Sequence, residues 1–447
     1  MRDTPKRATE TGGRAATTRL IPPKVALAVG MPSTPAPSGW KWAPLGSLAR
    51  LESGHTPSRR HPEYWIGDIP WIGIGDAKAH HGRHIYDTSQ KTNDLGIANS
   101  AARVLPKDTV CLSRTASVGY VVVMGGAMAT SQDFVNWVCG SALDPNFLKY
   151  LFMAEGEDLL RFASGAVHST IYFPEVKAFH ICFPPFPEQQ RIVSILDEAF
   201  EGIVTAKANA EKNLQNARAL FESHVHSVFT QRGEGWVERP LGECVNDILT
   251  GPFGSVLHKS DYQRDGIPLV NPINIEGGEI VPDERKAVGK ATAKRLARYA
   301  LRENDIVIGR RGEIGRCAVV ARDQCGWLCG TGCFVIRPSD KTDPHFLAHL
   351  LRSRPYRGKL EGMAMRATMP SISNDDLTNL VIGLPPVPQQ RHISALIAEL
   401  SSKTQRLGSL YQQKLDALEA LKKSLLHQAF TGELYEPSEQ FLREAVP

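Results

Sequence analysis

The amino-acid sequence predicts an α+β protein: two mixed α/β domains in tandem, separated by long α-helices that form an antiparallel coiled coil. Three observations predict this fold. The chain has 447 residues with 42% hydrophobic content, it contains an internal duplication, and each copy ends in a heptad pattern. A chain of this length is expected to form two or three domains with buried cores. The duplication predicts that the two domains share one fold as a pseudo-twofold tandem repeat.

The two copies align at a nearly constant spacing. The motif that begins at Trp40 recurs 196 residues later at Trp236, and the segment that begins at Leu105 recurs at Leu301 with the same spacing. Later matches have slightly larger spacings: Phe134-Val135 aligns with Phe334-Val335, and Asp144-Pro145 aligns with Asp343-Pro344. Short β-branched runs broken by Gly, Pro, Asn and Asp predict strands and large loops inside each copy.

Each copy closes in a proline-rich stop, and a long helical segment follows it. These segments lack proline and carry apolar residues at alternating three- and four-residue steps, which is the pattern of a heptad seam. We predict that the two helices pair with each other, over the alternative that each is buried on its own domain. The predicted coiled-coil interface consists of Ile192, Leu196, Ile203, Leu214, Phe221, Ile393, Leu396, Leu400, Leu407, Leu418 and Leu425.

The same patterns set the predicted domain boundaries. The first residues are rich in Thr, Ala and Pro without apolar periodicity, which predicts disorder. The predicted segments are a disordered tail (1–38), a first domain (39–187), a central helix (188–232), a second domain (233–388), a C-terminal helix (389–434) and a short tail (435–447).

Charge and composition narrow the range of functions. Of the net charge of +5, the first 39 residues contribute +4, so bulk charge does not indicate a DNA partner and any DNA-binding face must be local. No apolar run approaches the roughly 20 residues that a membrane span needs, and no secretory signal is recognisable, so we expect a cytoplasmic protein without a membrane partner. We interpret the regularly spaced Cys325, Cys329 and Cys333 as free thiols rather than metal ligands.

The motifs of the expected catalytic classes are missing from the sequence. There is no Asn/Asp-Pro-Pro-aromatic loop of an adenine methyltransferase and no phosphate-binding Gly-x-x-x-x-Gly-Lys-Ser/Thr loop. Asp158 followed by Glu175 and Lys177 has the loose spacing of a metal-dependent nuclease, but the second copy lacks the lysine. The sequence therefore predicts no catalytic residue and no metal ligand in this chain.

The duplicated motifs resemble those of the specificity subunits of type I restriction-modification systems. The resemblance rests on the Trp-x-x-x-Pro-Leu-Gly opening, the Pro-Pro-x-Pro closing followed by glutamine, the Asp108 to Gly119 segment and the run from Leu426 to Leu434, and it covers nearly the whole chain. It implies a non-catalytic subunit in which each target-recognition domain reads one half of an asymmetric, bipartite DNA target.

The resemblance also implies the partners. They are double-stranded DNA, two methylation subunits that bind S-adenosylmethionine, and two restriction or motor subunits that use ATP and Mg²⁺, while this chain binds no cofactor. The complete enzyme would be a site-specific endonuclease and adenine methyltransferase.

A helix from about Glu188 to Thr230 would extend roughly 60 Å. Adding or removing one heptad is therefore expected to change the unread gap between the two half-sites.

Candidate DNA contacts lie in loops of both copies. Arg114 and Arg310 occupy equivalent glycine-rich loops, where a guanidinium could bind phosphate, read guanine or serve a structural role through a local partner. A run of histidines near residue 80 is interpreted as a polar loop rather than a metal site. The candidates are Arg59, Arg60, Lys78, His80, His81, Arg83, Arg114, Thr115, Ser117, His168, Ser169, Thr170, Lys259, Arg264, Arg310, Arg311, Arg366 and Thr368.

Two other functions agree with parts of this pattern. A coiled-coil scaffold that binds peptide or glycan would explain the heptads, but it would not explain the duplicated Arg/Gly loops. A specificity subunit of a restriction-methylation enzyme outside type I would have the same sequence features.

Overall fold

A computed structural model describes residues 27–29, 36–165, 169–253, 256–365 and 370–434. Most of the predicted disordered tail (1–38), the predicted C-terminal tail (435–447) and three candidate DNA contacts, His168, Arg366 and Thr368, lie outside the described residues. The chain divides into two compact units. The first unit comprises Met1–Asn209 and Lys414–Pro447, and the second comprises Ala210–Gln413.

The first unit is a mixed α/β domain. Its described residues form a five-stranded sheet in the order β3-β10-β7-β8-β5 and two three-stranded sheets, β1-β11-β2 and β6-β4-β9. In chain order the elements are β1 (Leu27–Val29), β2 (Lys41–Pro44), α1 (Leu45–Leu48), β3 (Ala49–Ser53), β4 (Ile69–Ile72), α2 (Ile74–Ala79), β5 (His84–Ile85), β6 (Gln90–Thr92), α3 (Asp94–Ala98), β7 (Val110–Ser113), β8 (Val121–Met124), β9 (Ala129–Thr130), β10 (Phe134–Cys139), α4 (Pro145–Glu155), α5 (Phe173–Lys177), β11 (Phe179–Phe183) and α6 (Phe186–Thr230).

The second unit repeats this architecture. Its described residues form two four-stranded sheets, β13-β22-β19-β20 and β14-β18-β15-β21, and two strand pairs, β12-β23 and β16-β17. The elements are β12 (Val237–Pro240), β13 (Val245–Thr250), β14 (Tyr262–Gln263), β15 (Ile267–Val270), β16 (Ile275–Glu276), β17 (Glu279–Ile280), β18 (Ala287–Val288), α7 (Lys290–Arg295), β19 (Ile306–Gly309), β20 (Cys317–Val319), β21 (Leu328–Cys329), β22 (Cys333–Pro338), α8 (Pro344–Arg352), α9 (Arg354–Ala364), α10 (Asn374–Thr378), β23 (Val381–Leu384) and α11 (Val387–Thr431).

Strand pairing corrects the predicted alignment of the two copies by one residue. Val135 is the partner of Leu112 in the first sheet, and Phe334 is the partner of Ile308 in the second. Val135 therefore corresponds to Phe334, 199 residues later, whereas the sequence match paired Phe134 with Phe334. Because side chains alternate between the faces of a strand, the shift matters: it places Phe134 and Phe334 on opposite faces of their sheets.

Strand β1 differs from the predicted disorder of residues 1–38. The backbone of Leu27–Val29 pairs in parallel with Phe179, His180 and Ile181 of β11. Leu, Ala and Val are compatible with a strand, and the free edge of β11 offers their backbone groups hydrogen-bonding partners. The prediction of disorder is therefore wrong for these three residues.

A buried glutamine explains the motif that closes the first copy. The Gln189 side chain accepts a hydrogen bond from the backbone N–H of Asp144 at 2.8 Å and donates to the carbonyl oxygens of Pro184 at 2.9 Å and Ala142 at 3.0 Å. Asp144 in turn caps the N-terminus of α4. One side chain thus joins the proline stop, the start of α6 and the start of α4, and we call this arrangement the glutamine clamp.

The second copy contains the same glutamine clamp. Gln390 accepts from the backbone N–H of Asp343 at 2.8 Å and donates to the carbonyl oxygens of Pro385 at 2.8 Å and Lys341 at 3.1 Å. Asp343 caps α8. Since an amide is both donor and acceptor, glutamine satisfies all three backbone groups. The motif is therefore structural.

The two long helices each begin two residues earlier than predicted, at Phe186 and Val387. The prolines that follow, Pro187 and Pro388, are accommodated because the first turn of a helix does not use its backbone N–H groups. Neither proline therefore marks a helix boundary.

Within each unit the long helices pair in antiparallel order. In the first unit Ile192 and Leu196, near the start of α6, share a core with Leu426 and Phe430, near the end of α11. In the second unit Phe229, near the end of α6, shares a core with Ile397, near the start of α11. The first half of each helix therefore meets the second half of the other. This confirms the predicted antiparallel coiled coil.

The seam on α11 differs from the predicted row of leucines. Leu396 and Leu407 are 45% and 44% exposed, so these two interface predictions are wrong. The neighbouring Ile397 is buried, and the Cα of Gly408 lies close enough to Leu214 that an added Cβ would be 3.6 Å from its Cδ1. One residue rotates a helix face by about 100°. The seam thus runs through Ile397 and Gly408, the residues that follow these two leucines.

The other predicted interface residues lie on or near the seams. Buried or partly buried positions are Ile192, Leu196, Ile203, Leu214, Phe221, Ile393, Leu400, Leu418 and Leu425. Several of them, including Ile192 and Phe221, pack against the globular core of their unit as well. The two helices therefore both pair with each other and pack against the core of each unit.

Candidate nucleic-acid interface

The loop between β7 and β8 is held against the segment that precedes α5. The hydroxyl groups of Thr115 and Thr170 are 2.6 Å apart, and the same two residues form an isolated β-bridge. Inside the loop the Ser113 hydroxyl donates to the carbonyl oxygen of Ser117 at 2.5 Å. Ala116 has a φ of 62°, a left-handed conformation that side chains rarely adopt. These contacts fix the loop geometry and engage both threonines in it.

Arg114 joins three separated segments of the first unit. Its backbone N–H donates to the carbonyl oxygen of Asp133 at 2.7 Å, and its own carbonyl oxygen accepts from Ile171 at 2.8 Å. The guanidinium donates to the carbonyl oxygen of Gln132 at 3.1 Å and lies 4.8 Å from the centroid of the Phe173 ring. The structure therefore favours the structural interpretation of this arginine over base readout.

The second unit builds the same crossing around Arg310. The Arg310 backbone N–H donates to the carbonyl oxygen of Gly332 at 2.9 Å, and its carbonyl oxygen accepts from Ile372 at 3.0 Å. Its guanidinium lies 5.3 Å from the centroid of the Phe334 ring. Burial, and then the charge of Arg311, lower the pKa of Arg310.

We call this crossing the arginine junction. It consists of Arg114, Asp133 and Ile171 in the first unit, and of Arg310, Gly332 and Ile372 in the second. Arg311, the residue that follows Arg310, is exposed beside the second junction.

Arg59 is an exposed arginine with a fixed orientation. Its guanidinium carbon lies 3.8 Å from the centroid of the Trp65 ring, and Nη2 donates to Oε1 of Gln90 at 2.7 Å. The Trp71 indole N–H donates to the carbonyl oxygen of His55 at 3.1 Å and lies near the same guanidinium. A stacked, hydrogen-bonded arginine loses little side-chain entropy when it binds a ligand. Arg59 is therefore preorganised for binding.

A chain of contacts links Arg59 to the first junction. His55 donates its backbone N–H to the carbonyl oxygen of Thr130 at 2.9 Å. The next residue, Thr56, bonds through its hydroxyl to the side-chain oxygen of Gln132. The backbone carbonyl oxygen of Gln132 in turn accepts a hydrogen bond from Arg114. The exposed polar groups around the first junction thus form a continuous set.

The histidine-rich loop does not assemble a metal site. His81 accepts a hydrogen bond at Nδ1 from the backbone N–H of Val121 at 3.1 Å, and burial lowers its pKa, which favours the neutral ring. His80 ends α2, while the flanking Lys78 and Arg83 are exposed. Among the described residues, no group of three or more His, Cys, Asp or Glu side chains could hold a metal ion.

The remaining candidates are scattered over exposed loops. Arg60 and Ser169 are exposed in the first unit, and Lys259 and Arg264 are exposed in the second. No contact joins the last two to the second arginine junction in the described part of the chain. The eight cysteines are free thiols, of which Cys325 is exposed. No helix among the described residues is long and apolar enough to cross a membrane.

A family model for the type I restriction modification DNA specificity domain matches the chain twice, at residues 37–214 and 245–419. The chain belongs to this family. Each match contains one glutamine clamp residue and one arginine junction, so both motifs are part of the repeated DNA specificity domain. The sequence-level resemblance to type I specificity subunits is confirmed.

Curated relatives carry the same family description. The chain is 24% identical to the type I restriction enzyme MjaIX specificity subunit of Methanocaldococcus jannaschii, over 89% of this chain and 94% of that protein. It is 25% identical to the EcoKI specificity subunit of Escherichia coli K12, over 45% of this chain and 47% of that protein.

Solved structures support the fold. The specificity subunit HsdS of Thermoanaerobacter tengcongensis superimposes with a TM-score of 0.61 and 20% identity, over 90% of this chain and all of that one. A chain from a structure that addresses complex assembly and conformational transition of the type I R-M system gives a TM-score of 0.71 and 21% identity, with the same coverage. The predicted tandem α+β fold is confirmed.

Two exposed apolar residues of the second DNA specificity domain are not among the candidates that the sequence predicts. Phe253 is 58% exposed in a loop, and Ile273 is 64% exposed in a short 3₁₀ helix, Pro272–Asn274. Both residues follow a proline, in Gly251-Pro252-Phe253 and Asn271-Pro272-Ile273, and such proline-containing segments are turn signals in a sequence. A pattern of basic and hydroxyl side chains does not include apolar residues of this kind.

Proposed function

We propose that this chain is the DNA-reading subunit of a type I restriction-modification complex, in which each specificity domain reads one half of an asymmetric, bipartite target. The observation that carries the proposal is the repeated arginine junction inside two copies of one DNA specificity domain. The backbone of the junction is the same in both copies, whereas the exposed side chains around it differ. Two equivalent scaffolds with different surfaces suit a target with two different halves.

In the first domain, Arg59 is the strongest candidate for a base contact. A planar guanidinium held by Trp65 and Gln90 can donate two parallel hydrogen bonds to O6 and N7 of guanine in the major groove. Arg60, Lys78, Arg83 and Ser169 would contact phosphates, as would Lys259, Arg264 and Arg311 in the second domain. Arg114, Thr115 and Thr170 would shape the loop rather than read bases.

The chemistry would belong to partner subunits. Two methylation subunits would bind S-adenosylmethionine, and two restriction or motor subunits would use ATP and Mg²⁺ in the cytoplasm. The names of the curated relatives, which are specificity subunits of type I restriction enzymes, support this assignment. The residues of this chain would bind and orient the duplex so that the methylation subunits reach an adenine in each half-site.

Mapping of N6-methyladenine across a genome that expresses this chain with its methylation partner tests the proposal. We expect methylation of one two-part motif with a fixed gap. The variant Arg59→Ala should relax one position of one half-site, and Arg59→Lys should do the same because lysine lacks the bidentate fork. Absence of any methylated motif would contradict the DNA-reading role of the chain. An unchanged motif in both variants would contradict the base contact assigned to Arg59.

Deletion of one heptad from both long helices tests the spacer role. Because the helices connect the two specificity domains in the chain, we expect the shortened protein to methylate the same two half-sites across a different gap. Altered half-site bases with an unchanged gap would contradict a spacer role.

A further inference from the structure

Two large apolar side chains are exposed beside the basic second junction. Phe253 and Ile273 are 58% and 64% exposed, and Arg311 is exposed as well. Exposed single apolar residues are common on protein surfaces. These two require an explanation because separate loops carry them to the same turn of the second domain, next to a positive charge.

The turn Gly330–Gly332 brings these loops together. Gly251 donates its backbone N–H to the carbonyl oxygen of Cys333 at 2.9 Å, so the segment just before Phe253 lies against the turn. An added Cβ at Gly332 would lie 2.8 Å from Cδ of Pro272, so the residue before Ile273 lies against the turn as well. Arg310 also bonds to Gly332. Phe253, Ile273 and Arg311 thus each lie within two residues of a contact with this turn.

The first domain has the same loops with different side chains. Gly54 corresponds to Gly251, and an added Cβ would clash with a carbonyl oxygen of the equivalent turn in both. The bond from the Gly73 N–H to the Asp76 carboxylate corresponds to the bond from the Asn271 N–H to the Asn274 amide, at 3.0 Å in each. With these spacings, Thr56 occupies the position of Phe253 and Gly75 that of Ile273.

We infer that Phe253 and Ile273 contact the 5-methyl groups of thymines in the half-site that the second domain reads. This inference rests on the proposed function. Duplex DNA fits the surface because Arg311 supplies the charge that phosphates require, while the thymine methyl is the apolar group that the major-groove edge of a base pair presents. The first domain, with Thr56 and Gly75, lacks this apolar pair and reads its half-site through hydrogen bonds.

Replacement of thymine by deoxyuridine tests the inference, because it removes the methyl and keeps every hydrogen-bonding group. Duplexes of the mapped target, with deoxyuridine in one half-site or the other, are titrated against the chain in complex with its methylation partner, using fluorescence polarisation. Burial of one methyl corresponds to about a fourfold change in affinity. We expect a loss of about fourfold per contacted methyl for one half-site and little change for the other.

Variants identify the residues responsible. Phe253→Ala and Ile273→Ala should each lose part of the discrimination, and in the double variant the thymine and deoxyuridine duplexes should bind alike, whereas the matched control Thr56→Ala should retain the wild-type discrimination. Equal binding of both duplexes by the wild-type complex, with the target still preferred over unrelated DNA, would overturn the inference and leave the proposed function intact. Loss of the methylation partner from Phe253→Ala, with discrimination retained, would reassign the surface to a protein contact and also overturn it.

Discussion

In the first unit Thr56 bonds to Gln132 and Arg59 is stacked on Trp65, whereas in the second unit the exposed Phe253 and Ile273 occupy the positions of Thr56 and Gly75. The backbone hydrogen bonds of Arg114 and of Arg310 beneath the two surfaces correspond to each other. The difference teaches that the repeated motifs of this chain maintain a scaffold. The variable exposed positions on that scaffold are the ones that can distinguish one DNA half-site from the other.

The glutamine clamps should contribute equally to the two units. Substitution of Gln189 or Gln390 by alanine leaves a buried proline carbonyl oxygen and two partly buried backbone groups without this partner, so each variant should lose about 3 kcal/mol of stability. Urea unfolding followed by circular dichroism measures the loss, with the exposed Gln190→Ala as the control. A clear loss in one variant and none in the other would break the equivalence of the two scaffolds.

The two junction arginines should differ in how much they stabilise the folded protein. Arg114 donates to the carbonyl oxygen of Gln132 and stacks on Phe173, so Arg114→Ala should destabilise the protein by about 2 kcal/mol. Arg310 stacks on Phe334 at a longer distance, so Arg310→Ala should destabilise the protein by about 1 kcal/mol. Urea unfolding compares the two variants, and Arg114→Lys tests whether charge alone suffices. The opposite order of losses would refute the assigned structural role of Arg114.

One buried position makes the second unit sensitive to acid. Tyr150 of the first unit corresponds to His349 of the second, whose pKa is lowered from 6.5 to about 4 by burial and by the charge of Arg352. The unfolded chain therefore binds a proton that the folded chain excludes between these values. The stability that this site contributes is fully present well above pH 6.5 and should fall by about 3 kcal/mol as the pH drops to 4.

Hydrogen exchange at pH 7 and pH 5 measures this difference. We expect faster exchange in α8 than in α4 at the lower pH, and His349→Gln should remove the pH dependence while it keeps a polar partner for Arg352. An unchanged pH dependence in this variant would exclude His349 as the source.

Thiol chemistry provides the smallest contrast, which is between exposed and buried cysteines of the second unit. Burial raises the pKa of Cys329 to about 12 and that of Cys317 to about 11, and both side chains are buried. Cys325 is exposed. A thiol reagent at pH 7.5 should label Cys325 of the native protein first, as mass spectrometry of its peptides would reveal. Rapid labelling of Cys329 would show that the core of the second unit opens readily.

The sequence predicted the features that depend on periodicity and repetition. Heptads predicted the antiparallel helices, and the duplication predicted two domains of one fold. The position of Leu407 beside the seam could not be predicted, because the close approach at Gly408 favours a small residue that an apolar pattern does not detect. The register of Phe334 was missed for a related reason, since the identical pair Phe-Val hides a shift of one residue.

The candidate site was less predictable. Arg114 and Arg310 were found from the repeat, but the partners of Arg114 are backbone carbonyl oxygens and a ring from distant segments, which carry no sequence signal. Arg59 was one of several exposed basic candidates until its contacts with Trp65 and Gln90 distinguished it. Charge identifies basic loops from the sequence, whereas a preorganised side chain can be recognised only in the folded structure.

The central claim is that each specificity domain reads its own half of the target. The most direct test replaces residues 241–385 with a second copy of residues 45–184 and maps N6-methyladenine in cells that also express the methylation partner. The account predicts that the new target contains the first half-site twice and has lost the second. Retention of the original asymmetric target by a folded, methylating complex would contradict it.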